Sequence, residues 1–197
     1  MSKQPLPTSI IEDNGRQWNE IFRLFKERGG GTRQYAMDTV VSWVMSYARP
    51  KGSDWSVLDV GCGGAPNMLF FLEQGFQFTG IDVTDVPFPN LDGLPRNLLS
   101  NILLQTFSPP EFPFRDEEFS HLISTEALHL NATEESMRKA IHECWRVLRP
   151  SGRGLITTIT PEHWFIKRGQ AEWVSDFIIR VSDNCENVYR RGLHYYV

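Results

Sequence analysis

Residues 57–67, VLDVGCGGAPN, decide the fold of this chain, because they describe an apolar strand that enters a glycine turn and opens a helix. The glycines at 61 and 63 allow a sharp turn and let a ligand approach the backbone closely. A second predicted strand, from about Gln77 to Ile81, delivers Asp82 about twenty residues on, where its carboxylate can accept both hydroxyls of a ribose. The pattern predicts a pocket for an adenosine-bearing molecule.

The turn departs from the full dinucleotide fingerprint at one position. The last glycine of G-x-G-x-x-G falls at Pro66, which has no N–H to donate to a pyrophosphate. A nicotinamide-dependent oxidoreductase shares the arrangement of strand, glycines and acidic residue, but this departure disfavours it.

Three blocks of sequence carry a resemblance to a known family. D-V-G-C-G-G-A-P-N at 59–67, followed by G-I-D-V-T at 80–84, resembles the class I S-adenosylmethionine-dependent methyltransferases of the small-molecule type. Residues 112–124 are similar to that family's "L-P-F-x-D-x-x-F-D-x-I" approach to its fourth strand, and residues 144–154 to its "R-V-L-K-P-G-G" approach to the fifth. The resemblance covers about Val57 to Thr160 and implies S-adenosyl-L-methionine as cofactor and S-adenosyl-L-homocysteine as product.

The resemblance implies an α/β fold of three layers, Rossmann-like and doubly wound, with a mostly parallel sheet of strand order 3-2-1-4-5. We expect a single methyltransferase domain over 1–197, with an N-terminal helical cap (1–50), a cofactor-binding core (55–160) and a C-terminal segment (161–197). The short segment after Thr160, with a helix predicted at about Glu172 to Val181, suggests that the C-terminal β-hairpin of strands 6 and 7 is absent or reduced. An open sheet edge would suit a homodimer.

Helical spacing of apolar residues predicts two helices before the sheet, over about Arg16 to Glu27 and about Tyr35 to Ala48. They either cover the cofactor edge or only cap the core. A later helix begins after Thr133, and its expected inward-facing residues are Met137, Ile141, Cys144 and Leu148.

Composition narrows the class of protein. A chain of 197 residues with 41% hydrophobic and 22% charged residues suits one globular domain, and the net charge of −4 disfavours a nucleic-acid partner. The three cysteines share no C-x-x-C spacing, which argues against a metal site or a disulfide framework. Because no stretch resembles a secretory leader or a membrane span, we expect a cytoplasmic protein with no membrane contact.

The cofactor residues follow from the resemblance. Asp82 is the ribose ligand, Gly61 and Gly63 line the methionine half, and Asp59 braces the loop by accepting backbone N–H bonds. At the adenine end the family's acidic residue is absent, which leaves the hydroxyls of two residues after strand three. The full set of expected cofactor residues is Asp59, Gly61, Cys62, Gly63, Asp82, Val83, Thr106, Ser108, Ser124 and Thr125.

The acceptor side is less constrained. His129 is a candidate general base because its ordinary pKa lies near ~6.5, and Glu126 is a second catalytic candidate at the carboxyl edge of the sheet. Packing or capping roles stay open for both. The expected acceptor-pocket residues are Arg33, Tyr35, His163 and Trp164.

These observations predict in-line methyl transfer from S-adenosylmethionine to a small molecule. Two alternatives stay open: a non-catalytic adenosine-cofactor-binding or scaffold protein of the same fold, and a nucleic-acid or protein methyltransferase.

Overall fold

The computed structural model describes residues 9–27, 35–48, 54–107, 111–131, 133–186 and 193–196. Its centre is a five-stranded sheet in which every neighbouring pair is parallel. The spatial order is β3-β2-β1-β4-β5, which confirms the predicted order 3-2-1-4-5 and the α/β class. The strands are β1 (Ser56–Val60), β2 (Gln77–Asp82), β3 (Ile102–Thr106), β4 (Phe119–Thr125) and β5 (Leu148–Thr157).

Alternation along β1 explains why the sheet is covered on both faces. Side chains of successive strand residues point to opposite faces. Val57 accordingly packs in a cluster with Val44 and Phe71, while Leu58 packs in a second cluster with Leu122 and Met137. Both strand residues are fully buried, as expected of a parallel strand between two helical layers.

The helices follow the predicted pattern with different bounds. The first begins earlier than expected and the second is shorter at both ends. No helix in the described ranges is both long and apolar enough to cross a bilayer. The helices are α1 (Ser9–Glu27), α2 (Asp38–Tyr47), α3 (Met68–Glu73), α4 (Arg96–Leu99), α5 (Glu134–Arg146) and α6 (Trp164–Lys167), with a 3-10 turn at Leu128–Leu130.

Helix α5 shows one correction to the predicted inward face. Its N-cap is as expected, since Thr133 Oγ1 accepts a hydrogen bond from the Ser136 N–H at 3.1 Å. Met137 and Cys144 are buried, but Ile141 is 49% exposed. Leu148 lies in β5, because the helix ends at Arg146.

The C-terminal segment differs most from expectation. The predicted helix over Glu172 to Val181 is wrong: β6 (Ala171–Ser175) and β7 (Ile178–Val181) form an antiparallel hairpin, and β8 (His194–Tyr196) pairs with β7. The β-branched residues of β7 favour a strand. This hairpin lies in a three-stranded sheet separate from the five-stranded one, so in the described residues the main sheet lacks the sixth and seventh strands that were expected to be absent or reduced.

This second sheet packs against α1. Ile21 of α1 shares a buried cluster with Phe165, Ile179, Val181 and Tyr195. These buried apolar contacts between α1 and the C-terminal sheet stabilise the position of the N-terminal helix.

Candidate active site

The turn after β1 is built so that only glycine fits at its first position. Gly61 has φ +73° and Gly63 has φ +53°, conformations that favour glycine. The N–H groups of Gly61 and Cys62 both donate to the Ile81 carbonyl, at 2.8 and 3.0 Å, which ties the turn to β2. A Cβ on Gly61 would overlap the Cβ of Ala127. The turn thus leaves bare backbone at the carboxyl edge of the sheet.

Asp82 ends β2 directly beside this turn. Its Oδ2 accepts a hydrogen bond from the Gly63 N–H at 2.9 Å, and its Oδ1 accepts one from the Thr84 N–H at 3.4 Å. The side chain is only 6% exposed. Burial raises the pKa of Asp82 to about 6, although the backbone hydrogen bonds favour the charged form and oppose the shift. Near neutral pH this carboxylate is ionised and held toward the turn.

Asp59 lies one strand position before Val60 and braces the loop in an unexpected way. Its Oδ2 accepts from the Asn67 side-chain N–H at 3.2 Å, and the Asn67 side-chain oxygen accepts the Met37 N–H at 3.1 Å. The bracing contact is a side-chain amide and not the expected backbone N–H groups. It joins the loop to the residue that precedes α2.

The second oxygen of this carboxyl, Asp59 Oδ1, is buried and has no hydrogen-bond partner in the described part of the chain. Burial is the main reason that the pKa of Asp59 rises to about 7, and the negative charge of Asp82 raises it further. Asp59 does not line the cavity described next, so its position supports bracing and not contact with a ligand.

A cavity of about 490 Å³ lies against the glycine turn, within the range of small-molecule sites. Its walls come from α1, from the turn after β1, from the ends of β2 and β3 and from the segment after β4. The lining residues are Asn14, Gly15, Trp18, Phe22, Val60, Gly61, Gly63, Asp82, Val83, Phe107, Glu126, Ala127, Leu128, Leu130 and Asn131.

Helix α1 forms the wall opposite the sheet. Trp18 and Phe22 stack with ring centroids 5.4 Å apart and planes 30° apart. The Asn14 side-chain N–H donates to the Leu130 carbonyl at 3.0 Å, which fastens α1 to the segment after β4. Of the two predicted roles for the N-terminal helices, α1 therefore takes the covering one, whereas no residue of α2 lines the cavity.

Five of the predicted site residues line this cavity. Gly61, Gly63, Asp82 and Val83 do so on the cofactor side, and Glu126 does so at the end of β4. Their chemical roles stay predictions.

Besides Asp59, four predicted cofactor residues in the described part of the chain do not line the cavity. Cys62 is buried with its Sγ directed to the Gly63 carbonyl at 3.8 Å, and Ser124 Oγ donates to the Val60 carbonyl at 3.0 Å. Thr125 is half-buried and Thr106 is exposed, both outside the lining. Ser108 lies outside the described residues.

His129 is placed by packing, away from the cavity. Its side chain is 1% exposed and its ring lies 5.0 Å from the ring of Tyr195. Its neighbours Leu128 and Leu130 line the cavity, but His129 does not. The 3-10 turn directs this ring toward the C-terminal sheet cluster and not into the expected catalytic position beside the cavity, and a catalytic role for His129 stays a prediction.

The expected acceptor-pocket residues are not brought together either. His163 and Trp164 pack around Phe165, the His163 and Phe165 ring centroids being 3.9 Å apart, and neither lines the cavity. Tyr35 is 71% exposed. Arg33 lies outside the described residues.

Sequence reasoning missed Asn14, Gly15 and Phe107. The amphipathic pattern of α1 indicated that the helix packs on something, but not that Trp18 and Phe22 face a cavity. Phe107 directly follows β3, where hydroxyl side chains were expected, and its N–H donates to the Asp82 carbonyl at 3.0 Å.

The residues present fit a nucleoside-bearing cofactor. The bare backbone of the turn, the Asp82 carboxylate and the apolar side chains of Val83 and Phe107 all border one cavity. A carboxylate at the end of the second strand is suited to ribose hydroxyls. Among the described residues, no group of three or more His, Cys, Asp or Glu side chains could hold a metal ion.

Comparison with known protein families finds one similarity, which includes the glycine turn. The model of the methyltransferase domain family matches residues 57–152. No curated protein sequence matches the chain.

Solved structures show the same fold. The 1,6-didemethyltoxoflavin-N1-methyltransferase of Burkholderia thailandensis is 17% identical, with a TM-score of 0.67 over 100% of this chain and 76% of its own. A SAM-dependent methyltransferase of Methanosarcina mazei is 15% identical, with a TM-score of 0.58 over 82% of this chain and 78% of its own. The [4+2]-cyclase SpnF is 24% identical, with a TM-score of 0.56 over 78% of this chain and 61% of its own.

Proposed function

We propose that this chain, which through residues 57–152 belongs to the class I S-adenosylmethionine-dependent methyltransferases, methylates a small-molecule acceptor bound in the cavity beneath α1. One observation carries the proposal: the glycine turn and Asp82 border the same cavity that Trp18 and Phe22 close from the opposite side. The Burkholderia thailandensis enzyme, whose structure aligns with the whole chain, contains both S-adenosylhomocysteine and a small-molecule substrate.

Different lining residues of the cavity bind different parts of the cofactor and the acceptor. Asp82 accepts the ribose hydroxyls, with Val83 and Phe107 as apolar walls for the base. The backbone at Gly61 and Gly63 borders the methionine part. The acceptor takes the remaining space, between α1 and the segment after β4.

The chemistry requires mainly positioning. The cofactor supplies a methyl group on a positively charged sulfur, which an acceptor atom displaces in line. Holding two reactants in the correct geometry lowers the activation barrier, by ~7–11 kcal/mol for well-oriented groups. The apolar side chains Trp18, Phe22 and Leu128 exclude water from the reacting centre.

Binding of the cofactor is tested by calorimetry with S-adenosylmethionine and S-adenosylhomocysteine. Asp82→Ala should weaken both by about ten- to a hundredfold, since hydrogen bonds to a charged group contribute ~1.5–3 kcal/mol. Asp85→Ala is the matched control, because Asp85 is exposed and lies outside the cavity. Equal affinity in wild type and Asp82→Ala would refute the assignment of Asp82.

Transfer is tested separately from binding. Incubation with S-adenosylmethionine and a panel of small metabolites, followed by mass spectrometry, should show a product heavier by one methylene unit. Tight cofactor binding without any such product would favour the non-catalytic alternative.

The finer expectations about partners and compartment are also proposals. Cys62, Cys144 and Cys185 are all buried thiols, which suits the reducing cytoplasm. The cavity favours a small molecule over a nucleic acid or a protein side chain. A homodimer stays a prediction, and sedimentation would test it.

A further inference from the structure

We infer that the acceptor half of the cavity recognises a basic amine on an apolar body, bound as an ammonium by the Glu126 carboxylate and the stacked rings of Trp18 and Phe22. This inference rests on the proposed function and names the substrate class of that same site. It makes Glu126 a residue that determines specificity.

The charged side chains that line the cavity favour a cationic acceptor. The described residues that line the cavity include two carboxylates, Asp82 and Glu126, and no Lys, Arg or His. A carboxylate or phosphate acceptor would meet like charges there without a cationic side chain to pair with. A cation is favoured by the same field.

Of the two carboxylates that line the cavity, Glu126 can bind an acceptor, whereas Asp82 is already engaged. Both oxygens of Asp82 accept backbone N–H groups, and the proposed function assigns that side chain to the ribose. In the described part of the chain, the Glu126 carboxylate has no hydrogen-bond or ion-pair partner, and the side chain is exposed at the mouth of the cavity. It is therefore the carboxylate that an acceptor can use.

The backbone conformation of Glu126 holds this residue at the edge of the cavity. Its φ of +57° is rare for a residue with a side chain, and such conformations persist only where the surroundings enforce them. One contact that holds this backbone is on β5, where Thr157 Oγ1 accepts the Glu126 N–H at 3.1 Å. This conformation keeps the carboxylate at the end of β4 beside the cavity.

Two aromatic side chains of α1 also favour a cationic acceptor. Trp18 and Phe22 present stacked rings to the cavity, and aromatic faces attract cations by ~0.5–1 kcal/mol at exposed sites. Leu128 and Leu130 supply apolar contact for the body of the molecule. Carboxylate, aromatic rings and aliphatic wall together match an amine on an apolar body.

The recognised ammonium must lose one proton before it reacts. The proton leaves to solvent, which reaches the cavity beside the exposed side chain of Glu126. The nitrogen lone pair then forms the N–C bond while the S–C bond breaks with its electron pair on sulfur. The positive charge that sulfur loses is carried by the methylated nitrogen.

The test is binding of three probes of similar size at pH 7.5, each measured with and without excess S-adenosylhomocysteine. The probes are 2-phenylethylamine, 2-phenylethanol and 3-phenylpropanoate, which are cationic, neutral and anionic. Wild type should bind the amine about three- to tenfold more tightly than the alcohol, and the anion most weakly. Glu126→Gln should lower the ratio of amine to alcohol affinity about two- to fivefold and leave the alcohol unchanged.

Glu117→Gln is the matched control. Glu117 is also exposed and also has positive φ, +56°, but it precedes β4 and does not line the cavity. This variant should keep the wild-type ratio. Equal binding of amine and alcohol to wild type, an unchanged ratio in Glu126→Gln, or no binding of the amine at millimolar concentration would each overturn the inference.

The proposed function and this inference fail in different ways. If S-adenosylhomocysteine does not bind while the amine preference depends on Glu126, the methyltransferase proposal falls and an amine site remains. If S-adenosylhomocysteine binds and the preference does not depend on Glu126, only the amine inference falls.

Discussion

Gly61 and Ala127 are packed so closely that a Cβ on Gly61 would lie less than 3.0 Å from the Cβ of Ala127, nearer than real Cβ atoms approach. The contact joins the turn after β1 to the segment after β4. Both segments line the cavity. The distance between these two segments therefore depends on the absence of a side chain at Gly61.

The Gly61→Ala variant should consequently lose about 2–5 kcal/mol of unfolding free energy, from positive φ and overpacking together. Urea denaturation measures the loss. Gly75→Ala is the control, because Gly75 has φ +86° and nothing within 4 Å of an added Cβ. It should lose only the conformational part, about 1–2 kcal/mol.

The double variant Gly61→Ala with Ala127→Gly separates the two costs of the Gly61 substitution. Removing the Ala127 methyl relieves the overlap and leaves the backbone strain, so the two changes should be strongly non-additive. Additive losses would show that the overlap is not the cause.

Asp59 should make stability depend on pH. Its folded pKa of about 7 lies above the ordinary aspartate value of 3.8, so the folded state holds the proton more tightly than the unfolded chain. Its contribution is fully present below about pH 4 and is lost as the pH rises toward 7. Asp59→Asn removes this loss, so its unfolding free energy relative to wild type should rise by about 1–3 kcal/mol between pH 4 and 7.5.

The measurement is urea denaturation of both proteins across that range. The difference between them is the informative quantity, because burial lowers the pKa of His121 to about 4 and that residue acts with the opposite sign in the same window. A pH-independent difference would contradict the assignment.

Asp82 should make cofactor binding depend on pH. Protonation below its pKa of about 6 removes negative charge and acceptor capacity from the carboxyl group. The affinity for S-adenosylhomocysteine should therefore fall as the pH drops below 6, by at most about tenfold per pH unit. In Asp82→Asn the affinity should be low and nearly constant from pH 5 to 8, as measured by calorimetry. A wild-type affinity that is flat over this range would contradict the role of Asp82.

His129 should matter for stability and not for binding. Because its ring is buried against Tyr195 and does not line the cavity, His129→Leu should cost about 1–3 kcal/mol of unfolding free energy and keep the affinity for S-adenosylhomocysteine within about twofold. His142→Leu is the control, since His142 is exposed on α5. A His129→Leu variant with unchanged stability and lost binding would reverse this conclusion.

The sequence predicted the parts of this protein in which local chemistry and position coincide. Gly61, Gly63 and Asp82 were identifiable because a turn with positive φ requires glycine and a strand fixes where its last residue points. The strand order followed from three motif blocks in family order. For the segment Glu172–Val181 a helix was predicted, but burial of Ile179 and Val181, two residues apart, in one cluster with Ile21 of α1 favours a strand.

The sequence by itself thus determined the glycine turn, because its residues lie close together in the chain, and it predicted the order of the five-stranded parallel sheet through the resemblance of its motif blocks to a known family. Only the tertiary structure decided which side chains share the cavity: it placed Trp18 and Phe22 of α1 opposite Gly61 and directed His129 away from it. Such placements depend on how distant elements pack, and the spacing of residues along the chain does not specify that packing.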